Sequence, residues 1–255
     1  MIIETDDDKK QLRAAGNILS GVLKDLEAAA KEGITTAELD LMAEHAIVAR
    51  GAVPAFLNYK PDGAAIPYPA ALCISINDEV VHGIPSQKRI LRNGDIVSLD
   101  LGLSYNGYFV DSARTLIVGG EGDAPARRLI AATREALNAA VAAAHAGAHT
   151  GDIGAAVERV ARKYKLGVVK DLGGHAVGRA VHEKPFIGNE GNEGEGEVLP
   201  AGMVLAIEPM LSEGKGDIIL AEDNWTYKMR DRSRAAHFEQ TIIVGEGAPE
   251  ILTAL

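Results

Sequence analysis

The chain repeats itself once. Val81-His82-Gly83-Ile84-Pro85 in its first half matches Val181-His182-Glu183-Lys184-Pro185 in its second. Eighteen residues after His82, the segment Leu91-Arg92-Asn93-Gly94-Asp95-Ile96-Val97-Ser98-Leu99-Asp100 ends in a carboxylate; Leu199-Pro200-Ala201-Gly202-Met203-Val204-Leu205-Ala206-Ile207-Glu208 ends in one with the same internal spacing. In the second copy the gap from histidine to acid is 26 residues, and the eight extra residues fall in the Gly/Glu/Asn stretch Gly188–Glu197. Two copies of more than 80 residues each predict a duplicated α+β unit, because a solenoid needs shorter and more numerous repeats.

The order of predicted elements supports the duplication. Apolar residues recur at helical spacing from Asp6 to about Lys31 (Leu12, Ile18, Leu19, Val22, Leu26), closed by Gly33. Thr35-Thr36-Ala37-Glu38 reads as a capping box for a second helix ending at Gly51. A Pro/Gly-rich loop from Asn58 to Pro69 follows, long enough to suggest a functional role. Strands are predicted over Cys73–Asn77, Asp95–Ser104 and Tyr108–Val118, the last two joined by the hairpin signal Asn106-Gly107. Then the order recurs. Helices are expected over Ala124–Ala146 and, behind Thr150 as a cap, Asp152–Tyr164; strands are expected over Val168–Asp171, Val204–Ile207 and Ala236–Val244.

Composition narrows the chemistry. The single cysteine, Cys73, excludes an intrachain disulfide and zinc sites built on several thiolates, leaving Asp, Glu and His as metal ligands. A formal charge of −10 disfavours nucleic acid and anionic membranes as partners. The acidic N-terminal stretch lacks the pattern of a signal peptide and no segment approaches a membrane span, so a cytoplasmic protein with no membrane partner is expected.

Four acids stand at apolar strands. Asp100 ends one, Asp111 follows Tyr108-Phe109-Val110 on the next, Glu208 ends Ala206-Ile207, and Glu239 lies inside His237–Val244. Residues eleven apart across the Asn106-Gly107 turn can share a face. Two ionised carboxylates held together in an apolar sheet need a compensating cation. The alternative for this pair is a turn at Asp111-Ser112 and a solvated strand end at Asp100. His175, flanked by Gly173-Gly174 and Gly178, adds an imidazole where backbone can approach a ligand closely. His45, His145 and His149 fall in or after helices as structural or surface residues, and His237 reads equally as support for a ligand or as core packing. Four carboxylates and one histidine suit Mn, Fe, Co or Zn in a catalytic site, with oxygens enough to bridge two ions. His82 and His182 then remain for substrate contacts. No P-loop, G-x-S-x-G or H-E-x-x-H pattern competes.

Asp100, Asp111, the Gly-His175 segment, Glu208 in Ile-Glu-Pro, Glu239 in Phe-Glu-Gln-Thr and His82 in Val-His-Gly-Ile-Pro together resemble the methionine aminopeptidases of the short bacterial type (type I). The likeness runs from Ile3 through Glu250-Ile251-Leu252-Thr253. It implies the pita-bread fold, two pseudo-symmetric α+β halves with a curved antiparallel sheet inside and helices outside. One catalytic domain over 1–255, with halves of about 1–120 and 121–255, is expected. It implies removal of the initiator methionine from nascent chains when the second residue is small, by hydroxide attack from a dinuclear divalent centre. Asp111 and Glu239 would bridge both metals, Asp100 would hold one, and His175 with Glu208 the other; Glu208 would shuttle the proton, and His82 and His182 would orient the peptide. Cys73, Tyr68 and Trp225 match positions near the methionine side-chain pocket, as does ordinary packing. Ala176, Val181 and Gln240 depart from the residues common in that family, and none is a ligand. The expected partner is a peptide N-terminus, with room for transient ribosome association; no obligate oligomer is implied, and a monomer is expected. A proline-directed peptidase of the same fold and a non-catalytic binding module are the alternatives.

Overall fold

The computed structural model describes residues 1–61 and 63–254; Asp62, inside the predicted Asn58–Pro69 loop, and Leu255 lie outside the described residues. Four helices, α1 (Asp6–Ala29), α2 (Thr36–Ala49), α3 (Ala124–Ala143) and α4 (Thr150–Tyr164), occur as two pairs. Between and after the pairs come β1 (Val53–Pro54), β2 (Cys73–Ile76), β3 (Glu79–Val81), β4 (Ile96–Tyr105) and β5 (Tyr108–Ile117), then β6 (Gly167–Val168), β7 (Gly173–Ala176), β8 (Glu183–Gly188), β9 (Val204–Ile207) and β10 (Met210–Ser212). The chain closes with β11 (Ile218–Leu220), β12 (Tyr227–Met229), β13 (Ala235–His237), β14 (Gln240–Ile243) and β15 (Glu250–Ile251). One sheet runs β1-β4-β2 with β5 on β4, and another runs β15-β14-β9-β7-β8, all antiparallel.

Each helix pair covers its own sheet. Leu12, Leu19, Leu23 and Leu39 pack on Leu99, Leu101 and Val110, whereas Leu129, Leu137 and Val157 pack on Leu205, Ile207 and Ile242. The duplication extends to individual hydrogen bonds. Gly33 N donates to Leu91 O at 2.9 Å as Gly147 N donates to Leu199 O at 2.9 Å, and Gly94 N donates to Val118 O at 2.9 Å as Gly202 N donates to Val244 O at 2.8 Å. Gly94 and Gly202 take left-handed backbones, φ +88° and +81°, which explains why glycine recurs there.

The capping box at Thr35 forms as expected, with Glu38 N donating to Thr35 Oγ1 at 3.2 Å and Thr35 N donating to Glu38 Oε2 at 2.8 Å. Thr35→Ala removes one of these bonds, so it should cost about 1 kcal/mol and lower the thermal midpoint by a few degrees without changing activity, read from melting curves and turnover.

Several boundaries differ from expectation. α3 ends at Ala143, because Ala144 N turns back to Val141 O. α4 begins at Thr150, with His149 rather than Thr150 as its cap; His149 N donates to Asp152 Oδ2 at 2.7 Å. The strand expected over Val168–Asp171 stops at Val168, and Lys170 leaves the sheet to pair with Glu190. The strand expected over Ala236–Val244 is broken into β13 and β14 at Phe238-Glu239. Its neighbours β9 and β10 are broken opposite, at Glu208-Pro209, where proline offers no N–H to a ladder. Glu239 N donates instead to Ala113 O of β5, 3.0 Å away in the other half.

Hydroxyls complete that seam. Thr241 Oγ1 accepts from Asp111 N at 2.9 Å and donates to Asp111 O at 2.7 Å, and Ser112 Oγ donates to Glu239 O at 2.7 Å. Residues of the two halves are therefore locked side by side where the acids lie.

Candidate metal centre

The broken strands bring the acids together. In the β4–β5 ladder Asp100 faces Ala113 and Asp111 faces Gly102, so the two aspartates share a face, two positions apart. Glu208 and Glu239 sit at the paired breaks, freed from ladder pairing. All four carboxylates, with His175, line one cavity of about 230 Å³. His82, His182, Cys73, Tyr68 and Trp225 line it too, so every sequence-selected residue reaches the same space.

Asp111, His175 and Glu239 are closest: one ligand atom from each lies within 4.8 Å of the others, a group that could hold a metal ion. His175 is in the required tautomer. Its Nδ1 faces the Ala176 carbonyl at 3.0 Å, which can only accept, so the proton is on Nδ1 and the Nε2 lone pair is free. Nε2 points at Glu208, whose Oε1 is 3.6 Å away.

The electrostatics call for a cation. Asp111 and Glu239 are only 3% and 2% exposed. Among the described residues no lysine or arginine pairs with any of the four acids. Burial pushes the Asp100 carboxyl up to about 7, with Glu208 adding to the rise and His237 opposing it. Burial and then the neighbouring carboxylates push Asp111 and Glu239 well above the ordinary range, and burial does the same to Glu208. Burial also pushes His175 down to about 3 and His82 and His182 to about 4, so these imidazoles are neutral near pH 7. Hard oxygen donors plus one neutral imidazole suit a divalent ion, whose charge removes the penalty for ionising the acids.

The two remaining histidines flank this group from different supports. His82, just after β3, has a left-handed backbone (φ 58°) and rests between Trp225 and Tyr227, ring centroids 6.0 and 5.9 Å away. His182, just before β8, lies edge-on to His175 at 4.4 Å, and its Nδ1 is 2.8 Å from the Tyr59 hydroxyl. The likeness of the two Val-His-x-x-Pro segments thus places both rings at one cavity, although one follows its strand and the other precedes it.

The apolar end is formed by Phe56, Tyr68, Cys73 and Trp225, with Val181 packed behind them. Cys73 pairs with Asp100 across β2–β4, and burial pushes its thiol well up, so it is a neutral wall residue. Phe56, Tyr59 and Pro61, which sequence reasoning did not name individually, also line the cavity; Tyr59 and Pro61 lie in the Asn58–Pro69 loop expected to have a functional role. One signal was present for Phe56. Gly102 interrupts a leucine-rich strand, and a Cβ there would come within 2.6 Å of the Phe56 ring.

Comparisons agree with this geometry. The chain is 44% identical over 248 residues to a methionine aminopeptidase of Aquifex aeolicus, covering 96% of each. It matches the crystal structure of methionine aminopeptidase from Rickettsia prowazekii with TM-score 0.94 and 39% identity over all of both chains. A prolidase from Pyrococcus furiosus matches at TM-score 0.75 and 25% identity, with only 66% of that chain covered. Such neighbours identify the two-halved α+β architecture as the pita-bread fold. The profile of metallopeptidase family M24 spans residues 10–246, taking in all five candidate ligands; the chain belongs to metallopeptidase family M24.

Proposed function

We propose that this chain is a methionyl aminopeptidase that removes N-terminal methionine ahead of a small residue. The observation that carries this reading is the buried, cation-deficient cluster of Asp100, Asp111, His175, Glu208 and Glu239 at one end of a small apolar cavity. Asp100, Asp111, His175, Glu208 and Glu239 would hold two divalent ions, whose charge would balance the four ionised carboxylates. Co, Mn, Fe and Zn all suit the donors. Bound there, the ions supply Lewis acidity, acidifying a water and polarising the scissile carbonyl.

The chain's own groups do the rest. Phe56, Tyr68, Cys73 and Trp225 surround a thioether side chain without polar competition. His82 and His182, both neutral, hydrogen-bond the peptide and steady the oxygen that gains charge as the carbonyl becomes tetrahedral. Glu208 takes the water's proton on its carboxylate and returns it to the leaving amine as the C–N bond breaks. An adjoining cavity of about 300 Å³ shares His82, His175, His182 and Glu208 and extends to Leu172, Lys184 and Phe186, where the departing chain would lie. One chain supplies the whole ligand set, so the proposed working unit is a monomer, a single domain over 1–255. Its substrate is a peptide or nascent-chain N-terminus, met in the cytoplasm with at most transient ribosome contact; no helix among the described residues is long and apolar enough to cross a membrane.

Steady-state assays of Met-Ala-Ser and Ala-Pro-Ala, each with and without chelator, test the reading. Metal-loaded protein should release methionine from Met-Ala-Ser only, and chelation should abolish release. Cleavage confined to Ala-Pro-Ala would establish a proline-directed peptidase, and cleavage of neither a binding module.

A further inference from the structure

Behind the carboxylate assigned to proton transfer lies a histidine with no assigned role. His237, at the end of β13, is 1% exposed, and neither ring nitrogen has a hydrogen-bond partner among the described residues. A buried polar ring left unpaired destabilises the fold, so leucine would serve packing better. Its backbone is clamped from the other half: His237 N donates to Thr115 Oγ1 at 3.0 Å, and Thr115 Oγ1 donates to His237 O at 2.5 Å. The ring is thereby aimed at Glu208, with Nε2 3.4 Å from Oε2. The other oxygen, Oε1, is 3.6 Å from His175 Nε2, so the carboxylate has one oxygen for each imidazole.

We propose that His237 is a positioning residue: its Nε2–H holds Oε2 of Glu208, which keeps Oε1 turned toward His175 and the candidate metal. A shortening of about 0.5 Å, with the Nε2–H turned to point at Oε2, makes the contact a normal charge-assisted hydrogen bond. Free to rotate, Glu208 would present either oxygen, or both, to an ion.

The proposal rests on Glu208 acting in the site described above, so its test has a readout independent of peptide cleavage. Metal-free full-length protein and its His237→Leu and His237→Gln variants are titrated with Co2+ by calorimetry, and kcat and KM are measured on Met-Ala-Ser. His237→Leu should weaken Co2+ binding and lower kcat, each by about 10–100-fold, with KM unchanged. His237→Gln, whose amide N–H reaches the same oxygen, should restore both. The proposal is overturned if the leucine variant binds Co2+ as tightly as the parent, or if leucine and glutamine lose equally. Should the leucine variant fail to fold by circular dichroism, His237→Met, which fills the space without a donor, replaces it in the same comparison. A parent protein that leaves Met-Ala-Ser intact sinks the functional reading while the Co2+ comparison still decides the role of His237.

Discussion

Asp111→Asn should lower kcat/KM for Met-Ala-Ser by at least about 10³-fold, some 4 kcal/mol of transition-state stabilisation, and should make the metal-free protein more stable. The two effects have one cause. Asp111 is buried beside Asp100, Glu208 and Glu239, and each charge it carries there is opposed by theirs. With ions bound, that charge is the attraction; without them, it is a cost. The amide is close to isosteric, and the Ser112 N–H that now donates to Asp111 Oδ1 at 3.0 Å can donate equally to an amide oxygen. The backbone at Asp111 stays fixed by Thr241 in either case. The parent and variant should be compared by melting at pH 8 in chelator and by turnover in Co2+ or Mn2+. A variant that remains active, or that melts lower than the parent in chelator, would refute the assignment of Asp111 as a ligand.

The second large effect is on stability against pH. Asp100 is raised in the fold from 3.8 to about 7, so its contribution is fully present below pH 4 and is lost as pH rises toward 7. Burial raises Asp111, Glu208 and Glu239 well above the ordinary carboxylate range, so their contributions are lost in the same direction as pH rises. The buried histidines work in the opposite sense. His82, His175 and His182 are lowered from 6.5, so they favour folding above 6.5 and cease to as pH falls through 4 and 3. Above about pH 7.5 these imidazoles are essentially neutral whether folded or not, and the acids set the slope. Metal-free protein should therefore lose about 1.4 kcal/mol per pH unit for each carboxyl still protonated in the fold. A saturating divalent ion should remove or reverse this slope, since binding to ionised ligands strengthens as protons leave. Denaturant melts at about pH 7.5, 8 and 8.5 check this, and identical slopes with and without metal would contradict it.

Most of the site was legible because its residues break local rules. An ionisable group at the end of a run such as Ile96-Val97-Ser98-Leu99 has no packing reason to be there, and four such cases in two matching contexts point inward together. The Thr35 capping box, the Asn106-Gly107 hairpin and the repeated glycines are short-range features, so they appear where the residues predict. What stayed hidden depends on distant chain. The split of β13 from β14 follows from Pro209 on one side and from Ala113 claiming the Glu239 amide on the other, and only the first is written locally. Tyr59 reaches His182 across 123 positions, and His237 acquires meaning from Glu208 and Thr115, neither of which is adjacent in sequence.

The seam of Thr241, Ser112 and Thr115 has a consequence for how the protein comes alive. Asp100 and Asp111 belong to the stretch of chain made first, and His175, Glu208 and Glu239 to the stretch made last. A chain that has finished only its first half has Asp100 and Asp111 but none of His175, Glu208 and Glu239, and so no complete centre to charge. The bonds that register Asp111 against Glu239 are made only when the final strands dock. The centre can therefore form only once both halves are docked, and a copy lacking the second half lacks three of the five candidate ligands.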